Sequence, residues 1–128
     1  VPTADTNAIL RWMLNDVPRI TERAAEILTE APRCVVPDAA LIEVVYVLEG
    51  VMGAPRSSIV TAIEVLLAEA DFDAERSTWT VALAEYQAHP KLSIVDTFLA
   101  AQAVHSGRGS LYTFDAKLAE QIEVARLP

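Results

Sequence analysis

Short β-like runs alternate with longer helical ones along the whole chain, and that alternation is what most narrows its possible folds. A chain patterned this way stacks helices against a sheet, the α/β layer architecture. Val1–Ala4 has the look of a strand end, and Cys34–Val36 of a short buried strand. Leu111–Phe114 and Val124–Leu127 follow the same pattern, with Ala70–Asp73 as a minor strand or connector. Thr6 or Asn7 is expected to cap a helix through about Leu14, which Asp16-Val17-Pro18 breaks. A second amphipathic helix should run to about Glu30, with Ile20, Ala24, Ile27 and Leu28 on its apolar face. Pro37-Asp38 reads as a turn and N-cap for a nearly all-apolar helix reaching about Val51. Further helices are expected from Ser57 or Ser58 to Ala68, over Ala74–Ala88, from Ser93 to about His105, and over Ala116–Ile122.

The chain's 128 residues are expected to form one domain, 1–128. A chain of this size can bury ~68% of the surface it exposes when unfolded. Its hydrophobic fraction of 52% with only 6% aromatic describes a core of Ala, Val, Leu and Ile. Apolar runs fall short of the ~20 residues of a membrane span, and there is no basic segment leading into an apolar one. The lone cysteine, Cys34, forms no intramolecular disulfide and suits a reducing cytoplasm. His89 and His105 read as helix-end residues rather than ligands. A net charge of −8 argues against a broad nucleic-acid-binding surface. It leaves room for an acidic pocket in which a cation supplies the positive charge, or for a basic protein partner.

Four carboxylates fall in or at the mouth of apolar stretches. Asp5 opens Asp5-Thr6-Asn7, Glu43 lies within Ala39–Leu48, Asp96 within Leu92–Ala101, and Asp115 ends Leu111–Asp115. A buried carboxylate costs several kcal/mol unless paired or metal-bound, and basic residues are nearly absent from these windows. Each also has a structural reading. Ser93-x-x-Asp96 has the form of a capping box, while Asp5 and Asp115 are natural N-caps. Glu43 resists such a reading, because its helical neighbours Ala39, Ala40, Tyr46 and Val47 are apolar. Ligands of open α/β sheets bind beyond the carboxyl ends of the strands, so all four acids could converge on one edge. Oxygen donors without Cys or His select a hard cation, Mg²⁺ or Mn²⁺, and such a site suits phosphate chemistry.

The run Asp5-Thr6-Asn7-Ala8-Ile9-Leu10-Arg11-Trp12-Met13-Leu14-Asn15-Asp16 resembles the opening of PIN-domain ribonucleases, specifically VapC toxins of toxin–antitoxin modules. The resemblance continues in family order through Glu43, Ser93–Ala101 and Leu111–Lys117. It implies a Rossmann-like α/β/α sandwich with a mainly parallel central sheet and a Mg²⁺- or Mn²⁺-dependent endoribonuclease. The metal-binding and catalytic positions map onto Asp5, Glu43, Asp96 and Asp115, with Thr6, Asn7 and Thr113 in support. It also implies a cytoplasmic toxin, usually a homodimer, whose antitoxin seats a basic side chain in the acidic groove. Apolar residues such as Ile9, Trp12 and Met13 could anchor the rest of that partner. The competing readings are an inactive PIN-like module acting through its partners and a Mg²⁺-binding receiver domain. The receiver would need adjacent acids after the first strand and a Lys after the last. Here Thr6-Asn7 follows Asp5, and Lys117 is expected inside a helix.

Overall fold

The computed structural model describes residues 2–14, 34–70 and 72–128. The expected second helix, through about Glu30, lies outside the described residues. Contacts divide the chain into two compact units, Val1–Ala74 and Glu75–Pro128.

In the first unit the opening segment is extended beside β1 (Cys34–Val35). Thr3 bridges Val35 in parallel, Val35 N–H donates to the Pro2 carbonyl at 2.8 Å, and Ala4 N–H donates to the Val35 carbonyl at 2.9 Å. On its other side β1 pairs in parallel with β2 (Phe72–Asp73). Parallel neighbours need a crossover of a dozen or more residues, and helices supply it. Between β1 and β2 run α2 (Asp38–Gly50) and α3 (Arg56–Leu67), while α1 (Thr6–Leu14) packs on α2. The core includes Ile9, Leu41, Val44, Ile59, Ile63, Leu66 and Phe72, each at most 1% exposed. Trp12 meets Phe72 edge-on, ring centroids 5.1 Å apart.

Of the two cap readings for α1, that of Asp5 holds and that of Thr6 or Asn7 does not, while the expected cap of α2 sits one residue earlier. Helix α1 begins at Thr6 and is capped by Asp5, whose Oδ1 accepts Ala8 N–H at 2.9 Å. Helix α2 begins at Asp38, so Pro37 is its N-cap, and Pro37 has no side-chain acceptor to offer. Pro55 caps α3 in the same way, which moves its start to Arg56.

The second unit pairs α4 (Arg76–Ala88) with α5 (Ile94–Ser106). Trp79 and Phe98 stack tilted at 4.8 Å across that contact, and Trp79 and Tyr86 are fully buried. Helix α5 ends at Gly107, whose φ of 66° is the left-handed turn that favours glycine. The chain then forms β3 (Leu111–Tyr112), α6 (Ala116–Gln121) and β4 (Ala125–Arg126), with β4 parallel to β3. Leu92, Ala100, Leu118, Ile122 and Ala125 form the core beneath them. The described strand pairs are thus parallel and joined through helices, as the alternating pattern requires. His89 and His105 are helix-end residues, the C-cap of α4 and the last turn of α5. Among the described residues, no helix is long and apolar enough to cross a membrane.

Candidate active site

Asp5 and Glu43 meet in the first unit. Asp5 follows the opening extended segment directly, and Glu43 lies in the second turn of α2. Both line a cavity of about 270 Å³ together with Thr3, Thr6 and Pro37. Thr6 Oγ1 donates to Glu43 Oε2 at 3.0 Å, linking the first turn of α1 to α2. Asn7 is an exposed neighbour in the same turn.

Asp96 and Asp115 belong to the second unit, each at the start of a helix. Asp96 completes a reciprocal capping box: its backbone N–H donates to Ser93 Oγ at 3.2 Å, and its Oδ2 accepts Ser93 N–H at 3.0 Å. Asp115 caps α6, its Oδ1 accepting Lys117 N–H at 2.9 Å and Leu118 N–H at 3.3 Å. Thr113 holds Asp115 from behind, its Oγ1 accepting Asp115 N–H at 3.0 Å. Three of the four acids are therefore anchored at helix N-termini, where the helix dipole favours a carboxylate. Among the described residues, the second oxygen of Asp5, Asp96 and Asp115 makes no further hydrogen bond.

The expectation of buried carboxylates needs correction. Asp5, Glu43 and Asp115 are exposed, and Asp96 is half-buried. For Glu43 the reason is visible in the helical phase of α2. Ala40, Leu41, Val44, Val45 and Leu48 fill the core, while Ala39, Glu43, Tyr46 and Gly50 form a solvent-facing stripe at spacings of three and four. Apolar residue types on that stripe gave Glu43 an apolar window without burying it. Ile9, expected on a partner-facing surface, is only 1% exposed and belongs to the core. Trp12 and Met13 are half-buried and line a separate cavity of about 300 Å³ with Ala62 and Val65.

Neither histidine nor cysteine competes as a ligand. His89 Nε2 pairs with Glu85 at 2.9 Å, and its Nδ1 lies 3.2 Å from Gln121 Oε1. Cys34 is fully buried; burial raises its thiol pKa, against a lowering by the Ala4 backbone, so the group stays a neutral thiol. The donors in the first-unit cavity are carboxylate and hydroxyl oxygens, the chemistry of a hard divalent cation. Among the described residues, no three His, Cys, Asp or Glu side chains gather closely enough to hold a metal by themselves. The pair of Asp5 and Glu43 nevertheless fits Mg²⁺, which characteristically takes one or two carboxylates and completes its shell with water and substrate phosphate.

The sequence matches the family model described as "PIN domain" over residues 3–123. The chain belongs to the PIN-domain family. That match runs through both compact units and includes all four acids. PIN domains are generally nucleases, so the fold is of nuclease type. No curated protein and no solved structure gives a significant match.

Within this PIN domain the capping role of Asp115 can be isolated by substitution. Asp115→Ala removes the acceptor of two helix N–H groups and is expected to cost ~1 kcal/mol of stability. Asp115→Asn preserves the cap and should stay within a few tenths of that stability. Thermal or denaturant melts of the two variants check this. If Asp115→Ala melts like wild type, the side chain contributes nothing as a cap.

Proposed function

We propose that this PIN domain is a metal-dependent endoribonuclease of the VapC type, the toxin of a toxin–antitoxin pair. The observation carrying the proposal is the meeting of Asp5, Thr6 and Glu43 at one cavity, on a chain that matches the PIN family along nearly its whole length. In this reading Asp5, Glu43, Asp96 and Asp115 hold Mg²⁺ or Mn²⁺. When bound, the cation supplies Lewis acidity toward a phosphodiester and lowers the pKa of water.

The chain's own contribution is preorganised negative charge. The caps fix one oxygen of Asp5, Asp96 and Asp115 and leave the other for cation or water. Thr6 orients Glu43 by donating to Oε2, and Thr113 orients the backbone that carries Asp115. Groups held this way need little reorganisation as charge develops in the transition state. An RNA phosphate approaching these acids without a cation would be repelled, so activity should require added metal.

The same acids suit a cationic side chain from an antitoxin, which would compete with metal. The apolar cavity at Trp12 and Met13 could seat an adjoining segment of that partner. A cytoplasmic homodimer completes the proposal, and light scattering of the purified chain reads its stoichiometry.

Purified protein should cut single-stranded RNA with Mn²⁺ or Mg²⁺ and stop in excess EDTA. Expression alone should arrest growth, and co-expression of the neighbouring gene product should restore it. Undiminished cleavage in EDTA would sink the metal-dependent mechanism. Growth arrest that the neighbour leaves unrelieved would count against the toxin–antitoxin role.

A further inference from the structure

Half of the chain's eight aromatic residues are buried, and Tyr46 is 44% exposed. Phe72, Trp79, Tyr86 and Phe98 lie in the cores, and Trp12 is half-buried. Two others stand out in the segment that carries Asp115: Tyr112 is 71% exposed and Phe114 is 90% exposed. Among the described residues, no large hydrophobic side chain is more exposed than Phe114. A single exposed apolar residue is ordinary, but two aromatics on alternate residues beside a candidate catalytic acid are a more specific arrangement.

Local geometry accounts for their exposure. Leu111 N–H donates to the Val124 carbonyl and Thr113 N–H to the Arg126 carbonyl, both at 2.9 Å, so the backbone stays extended through Thr113. Exposure alternates accordingly: Leu111 and Thr113 are half-buried, Tyr112 and Phe114 exposed. Thr113 then turns the chain by accepting Asp115 N–H, which ends the strand earlier than the pattern Leu111–Phe114 suggested. Basic side chains flank the pair. Arg126 is the register partner of Tyr112 on β4, and Lys117 lies in the first turn of α6; both are exposed.

We propose that Tyr112 and Phe114 form a stacking platform for unpaired bases of single-stranded RNA, with Lys117 and Arg126 contacting its phosphates. Aromatic faces interleaved with cations are the general means of holding single strands, because every base has a π-face and every linkage a charge. The overall charge of −8 makes such a local basic–aromatic site more necessary, since a net negative chain disfavours RNA on average. Positioned beside Asp115, the platform would hold substrate next to that acid and favour unpaired over duplex RNA. It rests on the endoribonuclease reading above.

The test uses the full chain and a single-stranded oligoribonucleotide carrying one 2-aminopurine, whose fluorescence falls on stacking. Titrations are run in EDTA and in Ca²⁺, with cleavage in Mn²⁺ measured separately. Phe114→Ala should weaken binding roughly 5- to 150-fold, and Phe114→Leu, which keeps bulk but loses the ring, should do the same. Phe114→Trp should bind within about 3-fold of wild type, and an abasic residue at the stacked position should erase the difference between wild type and Phe114→Ala. Lys117→Gln and Arg126→Gln should each lower the slope of log affinity against log salt by about 0.7. Melting temperatures of the exposed-site variants should match wild type. Wild-type affinity in both Phe114→Ala and Phe114→Leu would overturn the platform, as would loss of binding to the neighbouring gene's product with RNA binding intact. Cleavage indifferent to Phe114 would remove the platform and leave the nuclease standing. Phe114-dependent quenching by a chain that cuts no RNA would do the reverse.

Discussion

Asp5→Asn and Asp96→Asn are each expected to reduce RNA cleavage by at least ~100-fold while leaving the fold in place. The size follows from removing one transition-state electrostatic group, which typically costs ~10²–10³ in rate. Preservation of the fold follows from the local bonds. Asparagine caps helices about as well as aspartate, and its carbonyl oxygen can accept Ala8 N–H at position 5 or Ser93 N–H at position 96. What disappears is the charge. In the four-acid metal site proposed above, removing one carboxylate charge relieves repulsion, so Asp96→Asn is expected to raise apo stability by ~1 kcal/mol while shrinking the rise in melting temperature given by Mn²⁺. The two predictions are read on the same samples, by cleavage assays and by melts in Mn²⁺ and in EDTA. A variant that is destabilised, cuts at the wild-type rate and gains the full metal increment would make Asp96 a capping residue alone.

The largest stability loss is expected from Trp79→Ala, about 3–5 kcal/mol. Trp79 is fully buried, and its ring lies 4.8 Å from that of Phe98 on the facing helix. Truncation removes the transfer free energy of the indole and opens a void between α4 and α5 that neighbouring side chains can fill only in part. Against a typical domain stability of ~5–15 kcal/mol this is a substantial fraction. Urea unfolding at constant m-value should show the loss as a lower midpoint. Trp79→Phe keeps an aromatic body in the same space and should lose less. Equal midpoints for wild type and Trp79→Ala would show that the α4–α5 contact contributes little to global stability.

Local patterns announced several features of the second unit. Ser93 and Asp96 stand three apart ahead of an apolar run, and that spacing alone specifies the capping box. Gly107 ends α5 where the sequence clusters Ser106, Gly107 and Gly109. Asp115 after a strand-like run is the N-cap of α6. These depend on residues within a turn of one another, so no distant contact can easily alter them.

Other readings changed in the structure. Pro37 and Pro55 occupy cap positions without side-chain acceptors, and no local hydrogen-bonding rule selects them over the neighbouring Asp38 or Ser57. The strand Leu111–Tyr112 is shorter than its apolar run because Thr113 bonds to Asp115 and bends the chain. Glu43 shows the difference most clearly. Its neighbours are apolar by type, but burial depends on which face of α2 meets α1, and that is a property of packing.

By itself the sequence determined the alternation of strands and helices, the capped helix starts at Ser93 and Asp115, and membership of the PIN family. Each of these rests on residue type and spacing along the chain. Only the tertiary structure decided that Glu43 faces solvent beside Thr6, that Ile9 is buried, and that Phe114 is left bare beside Asp115. Those outcomes depend on which helix faces which strand, because a side chain's solvation is set by neighbours far away in sequence.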